Sequence, residues 1–187
     1  MSHRLWNIPN ALSVSRLPLA VGLFISITFQ QWWVGLVLMS VAAFTDWLDG
    51  WWARRFGPLT PVGRNLDPLT DKVLICGAFI FLLPVPNTGL QPWMVTAIVG
   101  RELIVTGLRG IVESAGHQFP ADWFGKAKMV LQCAVLIGIL LHQSLLGMES
   151  HYVEQLQPIV MFVLWATMIV TLGSMMQYLW RAWKLMG

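Results

Sequence analysis

The sequence predicts an all-α integral membrane protein of six transmembrane helices, with a short interfacial segment ahead of the first and both termini in the cytoplasm. Three observations predict this. Of the 187 residues, 56% are hydrophobic and only 11% charged, and the mean hydropathy is +0.64. Apolar runs of about 20 residues, the length that spans a bilayer, alternate with short polar turns. Lys and Arg gather at alternate ends of those runs. Six spans consume roughly 120 residues, which leaves no room for a soluble domain, so 1–187 reads as a single membrane domain.

Residues 1–10 are polar and aromatic, with Arg4 and Trp6, and are expected at the membrane surface. The first span is expected over 13–29. No A-x-A cleavage site follows its apolar run, so it reads as a retained span and not as a removed signal peptide. Further spans are expected over 32–56, 67–83, 92–114, 124–146 and 156–180. The third is expected to start at Asp67, with Asp67 as N-cap and Pro68 at the first helical position. The turns 30–31, 84–92 and 142–157 contain no Lys or Arg, whereas Arg4, Arg54, Arg55, Arg64, Lys126, Lys128, Arg181 and Lys184 fall at the opposite ends. The positive-inside rule then places both termini and residues 46–71 in the cytoplasm. Trp32, Trp33 and Trp93 mark the outer interface; Trp51, Trp52, Trp123, Trp180 and Trp183 mark the inner one. Trp165, in mid-span, fits neither layer.

Net charge is +3, from 12 Lys and Arg against 9 Asp and Glu, and topology accounts for most of the basic residues. The expected partners are membrane lipids and not nucleic acid. Cys76 and Cys133 lie inside apolar segments without metal-ligand spacing and are read as packing residues. No Gly-xxx-Gly pair marks a helix-dimer face.

The chemistry is concentrated in residues 46–71, DWLDGWWARRFGPLTPVGRNLDPLTD. On a helix, Asp46, Asp49, Gly50, Ala53 and Gly57 fall within an arc of roughly 100°. Two acids thus head a stripe with little side-chain bulk, framed by Trp47, Trp51 and Trp52. Asp67 and Asp71 are one turn apart on the next helix. Bringing the pairs together costs roughly 4 kcal/mol per like pair at about 4 Å and an effective dielectric near 20, so the cluster needs cations. Oxygen ligands with no His or Cys nearby suit Mg²⁺ or Mn²⁺. Either pair alone reads as a cap or a solvated charge; the two together, at fixed offsets, read as a site.

The fourth span carries Arg101, Glu102 and Arg109. Charges there cost about 2.5–3.5 kcal/mol each on insertion scales and should face a polar cavity. Glu102 reads as one member of an internal ion pair. Arg101 and Arg109 read equally as ion-pair partners or as an anion site, since the guanidinium fork matches phosphate. Lys126 and Lys128 open the fifth span, either as topology signals or as further cations of that site. Arg16 and Asn10 are additional candidates.

The pattern DxxDGxxAR, then Gly after eight residues, then two Asp at intervals of four, is matched in full by Asp46, Asp49, Gly50, Ala53, Arg54, Gly63, Asp67 and Asp71. It resembles the signature of the CDP-alcohol phosphatidyltransferases, integral-membrane enzymes of phospholipid synthesis. The segments NIPNALSVSR, LDPLTDK, REL…LR and GKAKMVLQ are similar to the branch of that family whose acceptor is glycerol 3-phosphate. Two positions depart from that branch: Ser13 stands where Thr is usual, keeping the hydroxyl, and Met129 stands where Thr is frequent, losing it.

The resemblance implies transfer of a phosphatidyl group from CDP-diacylglycerol to sn-glycerol 3-phosphate, giving phosphatidylglycerol phosphate and CMP. It implies two Mg²⁺ or Mn²⁺ ions held by Asp46, Asp49, Asp67 and Asp71, with Asp71 as general base. It implies CDP binding by Asp46, Asp49, Gly50, Ala53, Arg54, Gly63 and Asp67, with Gly63 turning the connecting loop. The acceptor phosphate then falls to Arg101, Arg109 and Lys126, with Lys128 and Arg16 behind them. The implied location is the cytoplasmic membrane with the site facing inward, and homodimers are common in the family. Rival readings keep the chemistry but change the acceptor to inositol phosphate, serine or phosphatidylglycerol. More distant ones are a divalent-cation transporter, disfavoured because the acids lie at one membrane face, and a non-catalytic assembly partner.

Overall fold

A computed structural model describes residues 8–56, 61–114, 123–146 and 151–186, and these form six α-helices. They are α1 (Ile8–Thr28), α2 (Trp32–Phe56), α3 (Pro61–Leu82), α4 (Pro92–Ser114), α5 (Trp123–Leu145) and α6 (His151–Met186). The expected spans 32–56 and 92–114 coincide with α2 and α4, and the fifth differs by one residue at each end.

Three boundaries differ for identifiable reasons. α1 starts at Ile8, inside the segment expected at the surface, because Pro9 falls in the first turn, where a missing N–H costs nothing. α3 starts at Pro61 and not at Asp67, since Pro61 is itself a favourable first helical residue. Asp67 is therefore no N-cap: it lies in the second turn, with Pro68 following it within the helix. Gly63 likewise lies in the first turn of α3 and not in a loop. α6 runs for 36 residues, roughly 54 Å at 1.5 Å per residue, well beyond an apolar bilayer core of about 30 Å. Its polar ends extend the helix past the apolar window.

The α1–α2 turn shows how so short a connection is made. Gln30 takes a left-handed φ of 56°. Its N–H donates to the Ile27 carbonyl (3.1 Å) and that of Gln31 to the Ser26 carbonyl (2.7 Å), the paired bonds of a Schellman cap with Gln in place of the usual Gly.

Packing orders the six helices as a ring: α1 lies against α2, α2 against α5, α5 against α6, α6 against α4, α4 against α3, and α3 closes back on α1. α3 also touches α5 across the ring. That contact divides the bundle into two four-helix compartments sharing one wall, α1–α2–α5–α3 and α3–α5–α6–α4. The end carrying the 29–31 and 83–91 turns is filled by one apolar core. Leu23, Ile27, Met39, Phe79, Leu82, Met94, Ile98, Leu136, Ile139, Leu140 and Leu164 are all at most 2% exposed within it. Toward the other end the buried residues turn polar: Arg16, Thr70, Arg101, Glu102, Lys128, Gln132, Thr171 and Ser174.

The outer surface is apolar. On α6, Phe162, Ile169, Met176 and Trp183 repeat every seven residues and are 70–76% exposed, a stripe suited to lipid. Ala127–Leu145 and Val153–Arg181 are long and apolar enough to cross a membrane, as expected of a membrane protein. Trp165 packs beside Trp93 with ring centroids 6.1 Å apart, so the tryptophan that fitted neither layer joins one placed at the outer interface.

Candidate active site

In the first compartment, α2 and α3 carry their acids to the same depth. Asp46 lies ten residues before the end of α2 and Asp71 ten residues after the start of α3, each roughly 15 Å along its axis from the connection between them. Asp49 and Asp67 occupy the intervening turns, seven before the end of α2 and six after the start of α3. Asp46 and Asp71 both lie within electrostatic reach of Cys133 on α5, so acids from two helices address one point on the shared wall. The buried Arg16, on α1, sets its Nη2 3.1 Å from Asp46 Oδ1. A cation thus already sits on the first acid of the motif.

For Asp49, Gly50, Ala53, Arg54, Gly63, Asp67 and Lys126 the described structure extends to the helical backbone only, and their side chains lie outside it. Among the described residues no group of three His, Cys, Asp or Glu side chains gathers to hold a metal. The donors that are described do fit a hard divalent cation, being carboxylate oxygens with no competing imidazole.

The second compartment holds the bases. Glu102, on α4, accepts from Arg101 Nη1 at 3.1 Å and from Lys128 Nζ of α5 through the same oxygen, Oε1. Arg101 Nη2 donates to Ser174 Oγ of α6 at 2.6 Å, and its guanidinium lies 5.5 Å from the Tyr178 ring centroid. Lys72, next to Asp71 on α3, donates from Nζ to Thr106 Oγ1 on α4, and Thr106 in turn donates to the Glu102 carbonyl at 2.6 Å. Arg109 lies within electrostatic reach of both Lys72 and Arg101.

Among the described residues, four buried polar atoms on these walls find no hydrogen-bond partner: Arg101 Nε, Arg109 Nε, Gln132 Nε2 and Thr171 Oγ1. A buried donor left unmade costs roughly 1–3 kcal/mol, so four around one compartment describe a place built for a polar guest. Among the described residues four cations, Lys72, Arg101, Arg109 and Lys128, outnumber Glu102 and, on the wall, Asp71. The sign of the guest is therefore negative.

The ion pair read for Glu102 is present, and it gathers two of the expected anion-binding cations, Arg101 and Lys128. Arg109 belongs with them. Arg16 does not: it lies across the shared wall, on Asp46. Sequence reasoning missed Lys72, Thr106, Ser174 and Tyr178. The last two had a readable signal, since Thr167, Thr171, Ser174 and Tyr178 form a polar stripe at spacings of four, three and four, a single helix face. At the opposite end of the bundle a cavity of about 600 Å³ is lined by Ile27, Thr28, Gln30, Trp32, Ile80, Phe81, Pro84, Val85, Pro86 and Gln143. With no ionisable group, it has none of this chemistry.

Known proteins resemble this chain over nearly all of its length. A family model described as CDP-alcohol phosphatidyltransferase matches residues 6–173. The chain is 30% identical to a CDP-diacylglycerol–glycerol-3-phosphate 3-phosphatidyltransferase of Bacillus subtilis (strain 168), over 96% of this chain and 97% of the relative. Proteins of the same name from Yersinia enterocolitica and Salmonella choleraesuis are 29% and 31% identical, over 95% and 93% of this chain and 96% and 93% of theirs.

Proposed function

Because the chain belongs to the CDP-alcohol phosphatidyltransferase family, we infer that it transfers a phosphatidyl group from CDP-diacylglycerol to sn-glycerol 3-phosphate, giving phosphatidylglycerol phosphate and CMP. One observation carries the choice of acceptor: the cation-rich compartment beside the acids, whose walls hold four buried donors that find no partner among the described residues. A phosphorylated acceptor supplies what they lack. Serine has no phosphate to offer them.

In this reading the two compartments divide the substrates. Asp46, Asp49, Asp67 and Asp71 would hold two Mg²⁺ or Mn²⁺ ions. When bound, these neutralise the diphosphate and the charge developing on departing CMP. Gly50 and Ala53 leave the α2 stripe open for the cytidine, Arg54 meets the nucleotide phosphates, and Gly63 keeps the first turn of α3 free of side-chain bulk. Across the wall, Arg101, Arg109 and Lys128, with Lys126 at the margin, hold the acceptor phosphate, while Arg16 stays with Asp46 on the other side. Glu102 fixes Arg101 and Lys128 relative to each other.

Asp71, on the wall, accepts the proton of the 1-hydroxyl as its oxygen bonds to the phosphorus bearing diacylglycerol and the bond to the CMP oxygen breaks. The acyl chains remain in the bilayer through an opening between helices. We further place all six helices across the cytoplasmic membrane as one domain, with both termini and the site on the cytoplasmic side. A homodimer is compatible with this arrangement.

The test is CMP release from labelled CDP-diacylglycerol across a panel of glycerol 3-phosphate, inositol phosphate, serine and phosphatidylglycerol, with Mg²⁺, with Mn²⁺ and with chelator. Turnover confined to glycerol 3-phosphate and abolished by chelator is expected. Equal turnover with serine would remove the acceptor assignment.

A further inference from the structure

The cations of the second compartment are not equivalent. Arg101 and Lys128 share the Glu102 carboxylate, so a phosphate arriving there competes with a charge already in place. Among the described residues neither Lys72 nor Arg109 has a carboxylate within ion-pair distance. Among the described residues the half-buried Lys72 ammonium donates to the Thr106 hydroxyl and feels the Asp71 carboxylate only at a distance. An ammonium offers three donors, and a neutral hydroxyl is the weaker of the acceptors it can take; exchanging it for a phosphate oxygen gives a charge-assisted bond roughly twice as strong.

Position adds a second argument. Lys72 follows Asp71 directly on α3, and successive helical residues point about 100° apart. Asp71 reaches Cys133 on α5 while Lys72 meets Thr106 on α4. Lys72 is thus turned toward α4, while the Asp71 carboxylate beside it lies within electrostatic reach of both Cys133 and Lys128 on α5. Base and cation therefore stand side by side on one helix and point in different directions. Glycerol 3-phosphate has the same polarity, a nucleophilic hydroxyl at one end and a phosphate at the other.

We propose that Lys72 is a further acceptor-binding residue, which leaves Thr106 for the phosphate of glycerol 3-phosphate and so presents the 1-hydroxyl to Asp71 on the same helix. This rests on the acceptor inferred above. Thr106 is then a resting partner that keeps the ammonium aimed into the compartment until substrate arrives, and makes no contact needed for turnover.

The experiment measures CMP release from CDP-diacylglycerol and glycerol 3-phosphate by the full-length protein in detergent with Mg²⁺. Lys72→Met should raise the KM for glycerol 3-phosphate about tenfold or more and leave that for CDP-diacylglycerol within about twofold. Lys72→Arg should recover most of the loss. Thr106→Val should stay within about threefold of the parent in both constants. Should Lys72→Met fail to fold, Lys72→Gln bears the same expectation.

An unchanged KM for glycerol 3-phosphate in a folded Lys72 variant overturns the proposal. So does a parallel loss in both constants with a lowered Tm, which marks Lys72 as a structural prop. If the parent protein releases no CMP with glycerol 3-phosphate but does so with another acceptor, the acceptor assignment itself fails and takes this proposal with it. That outcome is distinct, because it is read on the parent before any substitution.

Discussion

The two compartments on either side of the α3–α5 wall are built from opposite charge and satisfy it differently. In the first, the Asp46 carboxylate is met by one arginine from a neighbouring helix. In the second, one carboxylate is divided between two cations, Lys72 rests on a hydroxyl, and Arg109 Nε finds no partner among the described residues. The first compartment can thus take additional cations, and the second an anion. A phosphotransfer between two anionic substrates needs both: cations gathered by acids for the nucleotide diphosphate, and fixed protein cations for the phosphate of the attacking alcohol.

The comparison is broken most severely at the wall. Asp71→Asn removes the proton acceptor and should lower CMP release by roughly 10²–10⁴-fold, with Tm unchanged because the amide keeps the shape. Near-normal turnover would show that the base lies elsewhere. Next in size is Glu102→Ala, which leaves Arg101 and Lys128 buried side by side without their common partner. Breaking a buried pair in this way costs roughly 3–5 kcal/mol, to be read as a lowered Tm in detergent together with a higher KM for glycerol 3-phosphate. A stable variant with unaltered kinetics would mean that the Glu102 cluster organises nothing.

Smaller substitutions sharpen the division. Arg109→Ala should raise the KM for glycerol 3-phosphate about tenfold and move that for CDP-diacylglycerol far less; equal effects on both would merge the two compartments into one site. Arg16→Gln should act on the other side only. It removes a cation that competes for Asp46, so the Mg²⁺ concentration giving half-maximal activity should fall by roughly threefold. A rise would assign Arg16 to substrate binding instead of to holding the acid.

Much of this division can be read from the residues. The acids are legible because carboxylates at fixed offsets beside Gly50 and Ala53 have few structural uses in an apolar chain. The cations are legible because charge inside a membrane helix demands a polar surrounding. The ends of α2 and α4 are legible where polar turns abut apolar runs.

Other features are not. The start of α3 is ambiguous in the sequence because two Pro residues, at 61 and 68, each offer a plausible helix start. The full length of α6 is not legible because apolarity marks only the stretch fit for a bilayer, whereas the helix runs on to His151 at one end and Met186 at the other. Lys72 escaped notice because, beside Asp71, it resembles a charge balanced by its neighbour. Its role depends on α4 lying against α3, and the ring order of helices is not written in any one of them.

The measurement that tests the central claim most directly is a matrix of three constants, the KM for each substrate and the half-saturating Mg²⁺ concentration, for Asp46→Asn and Arg109→Ala beside the parent. Two compartments predict a split. Asp46→Asn should raise the half-saturating Mg²⁺ concentration and the KM for CDP-diacylglycerol while sparing glycerol 3-phosphate, and Arg109→Ala should raise the KM for glycerol 3-phosphate while sparing the other two. If each substitution shifts all three constants by similar factors, the α3–α5 wall separates nothing and the division of substrates is wrong.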